Sequence, residues 1–195
     1  SSWEYGIGID WLGVLVEEIT GLSLQEYMKK NIFDPLEMSD TGYDLPSTQH
    51  ARVAKVYNRA EDSFSEIPFG VSEKYDFYSG GGGLISNIHD YSAFLKIFLN
   101  EGKGNGAQIL EEDSVKIMLS SFNREIKMRK LETSAPPLTE DMVIMAGIEK
   151  SWSPGFMINH ETSQSGRPKD SAGWAGLFNS YFWIDAQNNM VSIIL

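Results

Sequence analysis

Three features of the sequence predict an α+β fold. Apolar residues recur at helical spacing in several segments before residue 120. From Trp152 onward the character changes to aromatic and β-branched runs broken by turn residues. No internal repeat or low-complexity tract is present. Helices grouped apart from a terminal antiparallel hairpin give segregated layers, not alternating β-α units. The 195 residues suffice for one domain with a sizeable core, or for a large part of a bigger one.

The elements follow in order. Leu12, Leu15, Val16 and Ile19 fall at i, i+3, i+4 and i+7 and line one face of a first helix, with Asp10 as its N-cap and Gly21 as its stop. Ser23 and Glu26 form an S-x-x-E capping box for a second helix, whose stripe is Leu24, Tyr27, Met28 and Ile32. Pro35 ends it, and "DPLEMSDTGYDLPS" reads as turns. Short strands and loops are expected over 44–78. "SGGGG" (79–83) reads as a turn that needs positive φ or close backbone packing. A helix is expected over 87–100, with Ile88, Tyr91, Leu95, Phe98 and Leu99 facing inward, closed by "EGKGNG". A shorter one over 112–120 uses Val115, Met118 and Leu119. "GWAGLFNSYFWIDAQNNMVSIIL" reads as a strand, a turn at "DAQNN" and a strand. The chain ends inside that second apolar run, at Leu195, and starts almost directly on a helix. Both edges therefore read as cuts within a domain, with a helical part mainly within 10–150 and a sheet hairpin over 173–195.

Composition removes several function classes. The net charge is −11, with 16 basic against 27 acidic residues, so a phosphate-binding nucleic-acid surface is not expected. "IKMRK" (126–130) is the one dense basic patch and reads as a solvated loop or helix face. No apolar run is long enough for a membrane span. The start carries no signal-peptide pattern, and no compartment is assigned. Without cysteine there is no disulfide framework, thiol nucleophile or Cys-based zinc site. His50, His89 and His160 lack metal-ligand spacing and read as surface or turn residues. "GGGGLIS" has neither the lysine of a phosphate loop nor the dinucleotide spacing. No G-x-S-x-G elbow occurs, no carboxylate spacing singles out a glycosidase pair, and "EEDS" (111–114) reads as a helix start.

Three stretches together resemble one family. "WEYGIGIDWLGVLVEEITGLSLQEYMKKNIFDPLEMSDTGY" is similar to the segment around and after the catalytic tyrosine of class C β-lactamase-type serine hydrolases. "SGGGGLISNIHDYSAFLKIFLNEG" resembles a later glycine run and capped helix of that family. "GWAGLFNSYFWIDAQNNMVSII" resembles its third active-site strand and partner strand. Order and spacing agree for all three, and 103–160 is the least informative region. "YGIGIDWLGVLVE" is most similar to the esterase and transesterase branch. The resemblance implies a β-lactamase/transpeptidase-like fold, with an antiparallel sheet, flanking helices and a helical subdomain. It also implies acyl transfer through a serine, on a small-molecule ester or acyl substrate, with no metal or organic cofactor.

Carried over by position, Tyr5 matches the tyrosine that passes the serine proton together with a lysine. A free phenol titrates near 10, so it needs a nearby cation to act as a base. The third motif falls on Trp174, Ala175 and Gly176, with Trp-Ala-Gly in place of Lys-Thr-Gly or His-x-Gly. The indole would shape an apolar acyl pocket, Gly173 and Gly176 would let something approach the backbone, and the Leu177 N–H would be the oxyanion donor. Tyr78, Trp152 and Phe156 either line that pocket or are core, and Tyr5 from its own stretch alone reads as a buried strand-to-helix residue. Ile7 stands where β-lactamases keep an asparagine, and Trp174 where they keep a cationic or imidazole group. Both count against β-lactam turnover. Glu37 in "PLEM" replaces a usual glycine. No S-x-x-K occurs: Ser72 and Ser114 have lysine at i+2, the wrong spacing for one helix face. The nucleophile and its lysine are expected from a preceding segment or a second chain. The resulting expectation is a serine esterase or acyltransferase. Two alternatives stand beside it, a D-Ala-D-Ala peptidase or β-lactamase of the same fold and a non-catalytic ligand- or partner-binding member.

Overall fold

The computed structural model describes residues 2–60, 63–68, 72–134 and 139–194. Helix α1 (Gly8–Thr20) stops where Gly21 turns left-handed at φ 68°, which aims its N–H at the Glu17 carbonyl 2.8 Å away. Asp10 is not the N-cap. It lies in the first turn, and the cap position is Ile7, which makes no side-chain cap bond. The Asp10 carboxylate instead accepts from the Ser79 hydroxyl and from the Gly81 N–H at 3.1 Å. The apolar stripe of α1 lines one face as its spacing requires, yet Leu12, Leu15 and Ile19 are 58%, 52% and 75% exposed. Val16 of the same stripe is half-buried, where it and Leu12 border a groove shared with Leu24, Tyr27 and Met28.

The capping box forms as the sequence predicts. Ser23 Oγ accepts from the Glu26 N–H at 3.2 Å, and Glu26 accepts from the Ser23 N–H at 2.9 Å. Helix α2 (Leu24–Met28) runs into a π-helical turn, Lys29–Phe33, and stops before Pro35. Leu24 is buried, while Tyr27, Met28 and Ile32 are half-buried. The 44–78 region contains an antiparallel hairpin, β1 (Val56–Ala60) with β2 (Ser63–Ile67). Helix α3 (Ile88–Lys96) is capped by Asn87, whose side chain accepts from the N–H groups of His89 and Asp90 at 2.8 and 2.9 Å. Leu95 and Phe98 face inward as expected, but Ile88 is 46% exposed, and the buried residue of that first turn is Asp90, which accepts from the Asp40 N–H and the Thr41 hydroxyl at 2.8 and 2.9 Å. The "EGKGNG" segment folds back as the two-residue strands β3 (Lys103–Gly104) and β4 (Ala107–Gln108), and α4 covers Glu112–Met118.

The terminal region is a five-stranded antiparallel meander, β5 (Lys150–Trp152), β6 (Met157–Asn159), β7 (Ala172–Ala175), β8 (Tyr181–Asp185) and β9 (Met190–Ile194). The stretch read as two strands holds three, because "GLFNS" is itself a tight turn. Leu195, expected to continue the last strand, lies outside the described residues. Register pairs Ser151 with Ile158, Ile158 with Ala172, and Ala172 with Ile184, so these share one face. That face meets α3 and the π-helical turn in a core of Phe33, Leu36, Leu95, Phe98, Ile158 and Ile184. Phe156 belongs to this core, edge-on to Phe98 at 5.0 Å and to Phe182 at 6.0 Å. Its core reading therefore holds over its pocket reading. In the basic patch, Lys127 pairs with Glu149, Lys130 with Asp141 at 2.6 Å, and Met128 is buried, so acids neutralise it locally. Among the described residues no helix is long and apolar enough to cross a membrane.

Candidate active site

Residues 2–6 run without regular structure into α1, and Tyr5 is 55% exposed, which removes its reading as a buried tyrosine. Its ring lies 5.4 Å from Trp174 on β7 and 6.2 Å from Trp3. Trp3 lies 5.4 Å from Trp152 at the end of β5, and Trp152 meets Trp174 edge-to-face at 4.6 Å, with an 87° interplanar angle. The four rings close into a circuit. Each such pair contributes about 0.5–1.5 kcal/mol beyond area burial, so the cluster holds the amino-terminal segment against the sheet. It joins Tyr5, Trp152 and Trp174, which are far apart in sequence. Trp3 was not singled out from sequence, although in an extended segment residues 3 and 5 point to the same side.

Ala175 and Gly176 follow Trp174 where β7 leaves the sheet. The Gly176 N–H is committed to the turn, donating to the Ser180 carbonyl at 2.7 Å. The next N–H, that of Leu177, has no hydrogen-bond partner among the described residues, and the Leu177 side chain is 71% exposed. An oxyanion donor needs such an uncommitted N–H. The two glycines have structural causes. A Cβ on Gly173 would sit 2.4 Å from the Phe182 carbonyl oxygen, so what approaches that backbone is strand β8. A Cβ on Gly176 would meet the Ser180 hydroxyl at 2.4 Å.

The Gly-rich loop positions α1, and with it Tyr5. A Cβ on Gly80 would stand 2.3 Å from the Ile9 carbonyl oxygen, and Gly83 has φ 88°, so both readings of this loop apply. The bonds from Ser79 and Gly81 hold the Asp10 carboxyl below its usual range. The Tyr43 hydroxyl donates to the Ser79 carbonyl at 2.6 Å, and burial pushes Tyr43 up to about 12. Tyr78 is not one of the four rings of that circuit. Its ring meets Tyr43 at 5.3 Å, tilted by 55°, and its hydroxyl donates to Asp44 at 2.7 Å. Burial first, then that bond, pushes Tyr78 up to about 12.

Several other polar side chains are held by local bonds. Ser121 Oγ lies 2.6 Å from Ser151 Oγ, which lies 2.8 Å from His160 Nε2, and burial holds the His160 pKa down. Lys150 is 8% exposed and donates to the carbonyls of Met145 and Ile148 at 3.0 and 2.6 Å. His50 Nε2 lies 2.9 Å from the Leu45 carbonyl. Among the described residues no three His, Asp or Glu side chains gather as a metal site would require.

The beta-lactamase family model matches residues 2–195. The chain is similar to acyltransferase mokF of Monascus pilosus, 44% identical over 167 residues, which is 81% of this chain and 39% of that protein. It is also similar to the lovastatin esterase of Penicillium rubens, 49% identical over 120 residues, 62% of this chain and 26% of that protein. Among solved structures, a mutant of simvastatin synthase from Aspergillus terreus superposes with a TM-score of 0.78 at 24% identity, over 99% of this chain and 49% of that one. The chain thus spans half or less of the length of these relatives.

Proposed function

The chain belongs to the beta-lactamase family, and on that premise we propose that it forms the tyrosine-and-third-strand side of a serine esterase or acyltransferase site. The homologues with curated names include esterases and acyltransferases of this fold. A serine and lysine, three residues apart on a helix, come from a segment or chain outside these residues. The serine oxygen attacks the acyl carbonyl and its proton passes through Tyr5 to the leaving alcohol. The acyl-enzyme then gives its acyl group to water or to a second alcohol. The Leu177 N–H stabilises the oxyanion, and Trp174, Ala175, Gly176 and Trp152 border the substrate.

The observation that carries this reading is the contact of an exposed Tyr5 with Trp174, two motif residues brought together from opposite ends of the chain. Ile7, exposed at 68% beside Tyr5, offers no amide to a β-lactam, which favours ester over β-lactam chemistry. In the complete polypeptide, Tyr5→Phe should lower nitrophenyl ester turnover by roughly a hundredfold or more, the usual scale for a lost proton-transfer group. Unchanged turnover would remove Tyr5 from the mechanism.

A further inference from the structure

We propose that the groove between Trp3, Trp152 and the loop after α4 is the acyl-chain pocket, built for a short, uncharged, apolar acyl group. The proposal rests on the acyl-transfer reading above. The groove has a volume of roughly 340 Å³ and its apolar walls are Trp3, Trp152, Phe122, Ile126 and Pro154. Ligand pockets run from about 300 to 1,000 Å³, so this one lies at the small end of that range, with room for a short acyl chain. Its remaining lining residues, Asn123 and Ser153, already hold local backbone groups. Asn123 accepts from the Glu125 N–H at 3.0 Å, and Ser153 accepts from the N–H groups of Gly155 and Phe156 at 3.2 and 2.9 Å. Among the described residues no charged side chain lines the groove, so a carboxylate or ammonium placed there would be desolvated without a partner from them.

Position supplies the second argument. The groove shares two walls with the four-ring cluster: Trp3 lies on Tyr5 and Trp152 lies on Trp174. An acyl carbonyl at Tyr5 and the Leu177 N–H would therefore have this groove one indole away. The groove is also built before any ligand arrives. The Phe122 N–H donates to the Trp152 carbonyl at 3.2 Å and the Met128 N–H to the Lys150 carbonyl at 2.8 Å, which fastens the loop along β5. The Ser121–Ser151–His160 chain and the Lys127–Glu149 pair add to that fastening. Preformed walls spare the ordering cost that a mobile loop would impose on binding. Phe122 is 83% exposed, a large apolar ring left at the groove's lip.

The test uses the complete polypeptide with nitrophenyl acetate, butanoate and hexanoate. The kcat/KM is expected to rise by roughly fourfold for each methylene buried. Phe122→Ser, at an exposed position that does not threaten folding, should lower the hexanoate-to-acetate ratio. Ile126→Phe, which fills the groove, should lower it by at least about fivefold. A flat chain-length dependence in the parent, or a ratio unmoved in both variants, overturns the proposal. Should the parent cleave no ester, the acyl-transfer reading fails, and the groove is then decided by titrating hexanol against indole fluorescence. A shift that Ile126→Phe abolishes supports an apolar-chain pocket. No shift in the parent overturns it, as when another polypeptide segment fills the groove.

Discussion

At Gly173 the sequence suggested an opening for a ligand, and the structure gives a packing cause instead. Phe182 on β8 comes so close that any Cβ would collide with its carbonyl oxygen at 2.4 Å, with Arg167 Nη2 at 2.7 Å on another side. A backbone oxygen held in a ladder cannot step aside. Gly173→Ala should therefore destabilise the protein by about 1–3 kcal/mol, seen as a melting temperature lower by roughly 2–4 °C for each kcal/mol. An unchanged melting temperature would show that β8 can yield. Tyr5, Trp152 and Trp174 were legible because a motif or an aromatic residue between turn signals marks them. Trp3 was not, since an indole near a chain end has many uses and only its contacts reveal this one. At Tyr78 the ring suggested a pocket wall or core, and the structure adds a bond from its hydroxyl to Asp44.

Among the elements, those governed by local rules were readable and those governed by distant partners were not. The S-x-x-E box, the Gly21 stop and the Asn87 helix start all act within a few residues, so spacing finds them. Asp10 shows the limit. It has the chemistry of a cap, but Ser79 and Gly81 capture its carboxylate from the far side of the fold. The exposed stripe of α1 shows another, because periodicity gives a face and not what covers it. In "GWAGLFNSYFW" an apolar Leu-Phe pair sits in a turn, which hides one strand boundary. The Asp10 contact has a pH signature. Its folded pKa is depressed, so its stabilisation is present above the unfolded carboxyl value of about 3.9 and is lost as pH falls through the lower folded value. Asp10→Asn should lower stability at pH 7 and flatten the acid limb below about pH 4 relative to the parent, read by denaturant melts across pH. Parallel acid limbs would contradict this role for the Asp10 bonds.

Across the whole molecule, the five-stranded sheet and α3 make a closed core, while the Tyr5 cluster and the α1 face remain open at the surface. Ile9, Leu12, Leu15 and Ile19 form an apolar face beside the groove that Leu24, Met28 and Tyr43 also line. The solved structure it resembles is about twice as long. The fold class was legible because its layers are segregated along the chain. The catalytic reading was legible only in part, since no S-x-x-K occurs in these residues. The central claim is that Tyr5 serves a serine that becomes acylated. Intact-mass analysis of the complete polypeptide, rapidly mixed with nitrophenyl butanoate, tests it most directly. The account predicts one butanoyl group on one serine with lysine three residues after it, forming roughly a hundredfold more slowly in Tyr5→Phe. Ester turnover with no adduct, or equal acylation in the parent and Tyr5→Phe, would contradict it.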